Sequence, residues 1–123
     1  MLRRTGTLRC GLARCVTAML LAFGVAAAGA AEATFELRIE NGRVAQNMQR
    51  IRVKQHDVVK LRWSTDRPMT VHLHGYDIES RLSPGTVGEM TFTARATGRF
   101  TIEPHLQSPG AHGAVLVTIE VYP

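Results

Sequence analysis

The sequence predicts an all-β domain, a single antiparallel β-sandwich, on three observations. Apolar and polar residues alternate strictly in runs of five to nine residues between Thr34 and Pro123. Clusters rich in Gly, Pro, Asn and Asp separate those runs, and no segment after residue 30 has a helical apolar period. Period-two alternation bounded by turn formers marks half-buried strands, and seven or so short strands in about ninety residues imply a sandwich.

Each run can be read in order. In TFELRIE, Phe35, Leu37 and Ile39 share one face, and Glu36, Arg38 and Glu40 the other; Asn41-Gly42 then turns the chain. RIRVK sets Ile51 and Val53 against Arg50, Arg52 and Lys54, and Gln55-His56-Asp57 ends it. DVVKLRWST aligns Val59, Leu61 and Trp63, which gives the one tryptophan a core position before the Asp66-Arg67-Pro68 turn. VHLHGYDIE places Val71 and Leu73 inward, so His72 and His74 point outward. Beyond Ser83-Pro84-Gly85, Met90, Phe92 and Ala94 share a face, as do Phe100 and Ile102 after Thr97-Gly98. Past Ser108-Pro109-Gly110, the last run offers Val115, Val117, Ile119 and Val121 to the interior.

Residues 1–30 read differently. Arg3, Arg4, Arg9 and Arg14 precede an uncharged apolar stretch from Cys15 that closes on Ala28-Gly29-Ala30, an A-x-A cleavage pattern. This is the layout of a secretory signal peptide, and the apolar run is short for a spanning helix of roughly 20 residues. The expected organisation is a cleaved signal over residues 1–30 and one domain over 31–123, exported to the periplasm or beyond, with no membrane span in the mature chain.

Removing the signal changes the electrostatics. The chain has 15 Lys and Arg against 10 Asp and Glu. Four of the cations and none of the acids lie in residues 1–30, which leaves eleven against ten. The remaining cations are interleaved with apolar residues instead of clustered, so a nucleic-acid partner is not expected. Both cysteines, Cys10 and Cys15, also leave with the signal, and no disulfide or thiolate chemistry remains to residues 31–123. There is no H-E-x-x-H, no G-x-S-x-G and no phosphate-cradling loop.

Imidazole is the chemistry left. His72 and His74 project from one face of a strand about 6–7 Å apart, a span that one metal ion at about 2 Å from each nitrogen can bridge. The same outward phase equally describes a polar strand face, and a buried site would need a kink at Gly75 or Pro104. His56 lies in a turn apart from these residues. Met48, Met69 and Met90 show no Met-x-x-Met clustering and read as core, with Met69 the one sulfur near His72 in sequence. Asp77 and Glu79 read as strand-end solvation, Asp77 also as a minor candidate ligand.

Three marks resemble the cupredoxin fold of small periplasmic copper proteins. They are His56-Asp57-Val58 before a long strand, His74-Gly75-Tyr76, and Gly98-Arg99-Phe100 leading to His105 and His112 before the final strand. The resemblance covers residues 34–123 and implies a Greek-key sandwich. Where blue-copper members carry the ligand cysteine, this sequence reads Ile102-Glu103-Pro104-His105, and where their methionine follows it reads Ala111-His112-Gly113. Without a thiolate, blue-copper electron transfer is excluded.

The resemblance implies that the loop after Phe100 brings His105 and His112 beside the strand of His72 and His74. The expected metal ligands are His74 and His105, then His72 and His112, with Glu103 as a further ligand or an orienting acceptor. The expected cofactor is copper, one Cu(II) held for carriage or buffering. Such a site empties below about pH 6, because imidazole binds metal only when neutral. The alternative is a metal-free sandwich that docks another periplasmic protein. An enzyme is not expected, since a domain of this size with no cleft-forming insertion has little room for a substrate.

Overall fold

A computed structural model of the chain describes residues 29–105 and 113–123. Most of the expected signal peptide and His112 lie outside the described residues.

The alternation becomes nine strands. They are β1 (Glu32–Glu40), β2 (Arg43–Val44), β3 (Arg50–Lys54), β4 (Val58–Thr65), β5 (Met69–Leu73), β6 (Ile78–Leu82), β7 (Gly88–Thr93), β8 (Gly98–Pro104) and β9 (Val117–Tyr122). A short 3-10 turn, Gln46–Met48, precedes β3. Two sheets result, ordered β2-β1-β4-β7 and β3-β9-β8-β5-β6.

The residues of inward phase fill the space between the sheets. Val59, Leu61 and Trp63 from β4 meet Val71 and Leu73 from β5, Ile102 from β8 and Ile119 from β9, all fully buried. Each large aliphatic chain so placed contributes roughly 1.5–3 kcal/mol of transfer free energy. The all-β sandwich expected from the pattern is the fold observed.

Two pairings are parallel, β1 with β4 and β3 with β9; the others are antiparallel. Parallel neighbours need a long crossover, not a hairpin. Here the chain leaves β1, crosses to the second sheet as β3, and returns to the first sheet as β4 beside β1. Period-two patterning fixes faces and leaves strand direction open, so the sequence expectation of purely antiparallel pairing is replaced by two mixed sheets.

Two local features also depart from the pattern. Residues 78–82 form β6, a strand whose inward positions are Ile78, Ser80 and Leu82, so the serine interrupts its apolar periodicity. Val115, expected inside, is 47% exposed, while Leu116 is buried instead, its N–H bonded to the Ile102 carbonyl at 2.8 Å. That bond fixes Leu116 one residue before β9 begins, and the regular alternation starts only at Val117.

Candidate metal centre

The outer face of the five-stranded sheet collects the imidazoles. β5 lies between β8 and β6, and its outward positions are Thr70 and His72. Register places Glu79 of β6 on one side of His72 and Glu103 of β8 on the other. Beyond β5, the His74 N–H donates to the Thr101 carbonyl at 2.9 Å, which keeps His74 on this ladder. At the other end the His105 N–H donates to the Thr70 carbonyl at 2.8 Å, which anchors His105 beside His72.

The turn His74–Asp77 sets this register. Gly75 has φ +87°, a left-handed conformation that L side chains avoid, and an added Cβ would lie 2.6 Å from Phe100 Cδ1. Asp77 also adopts positive φ, at 54°. The tight return brings Ile78 opposite Leu73 and Glu79 opposite His72.

Three atoms form a compact triangle. His72 Nδ1 is 3.0 Å from His105 Nε2 and 3.7 Å from Glu79 Oε1, and His105 Nε2 is 3.4 Å from the same oxygen. A point inside that triangle lies about 2 Å from all three atoms, the distance of Zn(II) or Cu(II) from imidazole nitrogen and carboxylate oxygen. His72, Glu79 and His105 are the group of potential metal-binding side chains among the described residues. The donors, two imidazoles and one carboxylate, therefore fit a borderline divalent cation.

The other ring nitrogen of His72 faces a carboxylate. His72 Nε2 is 3.3 Å from Asp77 Oδ1, and a proton held on Nε2 by that contact leaves the Nδ1 lone pair aimed into the triangle. The 3.0 Å contact between Nδ1 and His105 Nε2 needs one donor and one acceptor, the roles being set by the tautomers of the two rings. A cation bound there would take the place of the hydrogen in that contact.

His74 sits beside the triangle. Its ring stacks on His72 with centroids 4.5 Å apart and planes 9° apart. His74 Nε2 is 3.3 Å from Glu103 Oε2, and Thr101 Oγ1 donates to Glu103 Oε1 at 3.3 Å. Of the expected residues, the structure thus brings His72 and His105 into direct contact and joins His74 to Glu103 as a neighbouring pair. His112 lies outside the described residues, and His56 lies in a separate turn, its N–H bonded to the Ala94 carbonyl. Met69 packs from the inner phase against the core, on the other side of the sheet from His72.

Glu79 is the residue sequence reasoning passed over. The signal that could have found it is the hairpin itself. A turn at His74-Gly75-Tyr76-Asp77 places residues 72 and 79 opposite each other. The site also needs no kink toward the interior, because the cluster assembles on the outward face.

Comparison with known proteins agrees with this architecture. No protein-family model matches the sequence, and no curated protein is significantly similar to it. Solved structures do match. The periplasmic domain of subunit II of cytochrome oxidase (CoxB) from Bradyrhizobium japonicum is similar at TM-score 0.57 and 17% identity, over 73% of this chain and 83% of that one. A copper binding protein in its apo form is similar at TM-score 0.59 and 10% identity, over 74% and 88%. A heme-copper terminal oxidase gives TM-score 0.52 and 21% identity over 75% of this chain, which spans only 60% of the oxidase chain. The chain spans 43% of the length of a blue copper oxidase from Nitrosomonas europaea. These are cupredoxin-like folds, and this chain has a cupredoxin-like fold in which residues 31–123 carry no cysteine for a type 1 copper site. Among the described residues, no helix is long and apolar enough to cross a membrane.

Proposed function

We propose that this is an exported carrier or buffer of copper that holds one Cu(II) on the outer face of its five-stranded sheet. His72 Nδ1, His105 Nε2 and Glu79 are the ligands, Asp77 orients His72, and the His74–Glu103 pair flanks them. The observation that carries the reading is the triangle of donors, with sides of 3.0, 3.4 and 3.7 Å. Asp77, Glu79 and Glu103 crowd the imidazoles with negative charge, which favours a cation there. A given N/O donor set binds Cu(II) more tightly than the other divalent first-row ions.

Exposure supports carriage over permanent retention. The side chains of His72, His105 and Glu79 are 16, 32 and 53% exposed, so an ion among them is open to exchange. The fold neighbours include a protein described as copper binding and a periplasmic domain, which supports copper as the ion and the periplasm as the compartment. In this reading the protein turns over no substrate.

Calorimetric titration with Cu(II) at pH 7.5 tests the proposal. One equivalent binds the wild type, and His72→Ala or His105→Ala weakens that binding. Weak binding at several sites, indifferent to both substitutions, would leave the face as imidazoles and carboxylates that satisfy one another.

A further inference from the structure

The face that carries the imidazoles is electrically divided. On its β3–β9 side, Arg50, Arg52 and Arg99 all approach one carboxylate, Glu120, at 3.5, 3.6 and 3.3 Å. Register explains the convergence: Glu120 lies between Arg52 of β3 and Arg99 of β8. The three arginine side chains are 68–75% exposed, whereas Glu120 is only 19% exposed. Lys54 is also exposed and continues the same outward row. Three arginines therefore share one largely covered carboxylate, with Lys54 in line beside them, while around the histidines Asp77, Glu79 of β6 and Glu103 of β8 outnumber the one outward cation of β6, Arg81.

The opposite sheet is organised differently. There Lys60 pairs with Glu32 at 3.3 Å, Arg62 lies 2.7 Å from Glu36 and 3.5 Å from Glu89, and Arg38 pairs with Glu40 at 2.6 Å. Every one of those cations has its own carboxylate. The convergence of three exposed arginines on one carboxylate belongs to the strands beside the imidazole cluster.

We infer that the Arg50–Arg52–Arg99 stripe is a docking surface for an acidic protein, set so that a partner seated on it reaches the imidazole cluster on the same face. Exposed guanidinium groups form forked hydrogen bonds to carboxylates, and a patch of one sign steers a partner of the other. The occupant is a protein, because the face is divided. A uniformly anionic membrane or polyanion would press against Asp77, Glu79 and Glu103 as well, whereas a folded partner can present its carboxylates to the positive half alone. The exchange of copper with that partner rests on the metal reading above; the docking surface does not.

Amide chemical-shift mapping on 15N-labelled metal-free protein, with tetraglutamate peptide as the probe, tests the inference. At low ionic strength, shifts are expected at residues 50–54, 98–101 and 118–122, and they fade in salt as screening shortens the Debye length. The double variant Arg50→Glu/Arg52→Glu is expected to weaken peptide binding about tenfold or more, while its Cu(II) titration keeps the wild-type stoichiometry. No shifts, or shifts on the charge-paired sheet, would overturn the inference. So would phosphatidylglycerol vesicles binding through the same residues more tightly than the peptide, which would make the occupant a membrane surface. Because the mapping is done without metal, its failure leaves the copper titration intact, and a failed copper titration leaves the mapping intact.

Discussion

His72 uses its two ring nitrogens for different purposes. Nε2 faces Asp77, and Nδ1 faces His105 and Glu79. Orienting carboxylates of this kind typically govern metal affinity by 10–100-fold, so Asp77→Asn is expected to weaken Cu(II) binding about tenfold with one equivalent still bound. Glu79→Gln removes a charged donor and is expected to weaken it further. His74→Ala is expected to keep the stoichiometry, because His74 pairs with Glu103 and contributes its ring to the stack. Calorimetry on the three variants checks the order. At this scale the imidazoles were legible in the sequence, since His72 and His74 stand out as an outward pair. Glu79 was not, because its place depends on the pairing register, and a carboxylate near a strand end looks like any solvated residue until the hairpin is closed.

Turns hold the elements in that register. Asn41 donates its N–H to Asp66 Oδ2 at 2.8 Å, which ties the β1–β2 turn to the β4–β5 turn. That bond and the bond from the Arg67 side chain hold the Asp66 carboxyl below its ordinary range. A carboxyl depressed in the folded state stabilises the fold above its unfolded value, near pH 3.9, and loses that contribution as pH falls through the lower folded value. Asp66→Asn is therefore expected to lower stability at pH 7, with the difference from wild type shrinking below pH 4; urea melts across that range measure it. Gly75→Ala forces a Cβ toward Phe100 at positive φ, a change expected to cost about 1–3 kcal/mol and to disturb the 72–79 pairing as well. The long alternating runs, β1, β3, β4, β7, β8 and β9, were legible because their inward positions are apolar, with Thr65 at the end of β4 the buried polar exception. β6 was missed because Ser80 occupies an inward position, and Val115 was misplaced because β9 takes up its alternation only at Val117.

The molecule as a whole is stabilised by burial between two sheets. No cysteine lies in residues 31–123, so no disulfide assists it. Truncation in this core, as in Ile102→Ala, is expected to cost about 2–5 kcal/mol, read from denaturant melts. A ligand that binds only the folded state adds to stability by mass action, about 2.7 kcal/mol at a hundredfold excess over Kd. For a domain of this size that amounts to a rise in Tm of roughly 10 °C or more. Cu(II) is expected to raise Tm in the wild type and not in His72→Ala/His105→Ala; equal shifts in both would point to ligands elsewhere. The sandwich was readable from alternation and turn spacing alone. The mixed character of its sheets was not, because alternation carries no information about which distant strands become neighbours.

Electron paramagnetic resonance on protein loaded with one equivalent of Cu(II) is the sharpest check on the His72–His105–Glu79 triangle, since it counts the nitrogens on the ion. The predicted wild-type spectrum shows two imidazole nitrogens, reduced to one in either His72→Ala or His105→Ala and unchanged in His74→Ala. A spectrum that both ligand variants leave intact, or one that only His74→Ala alters, would contradict the site on the outer sheet face.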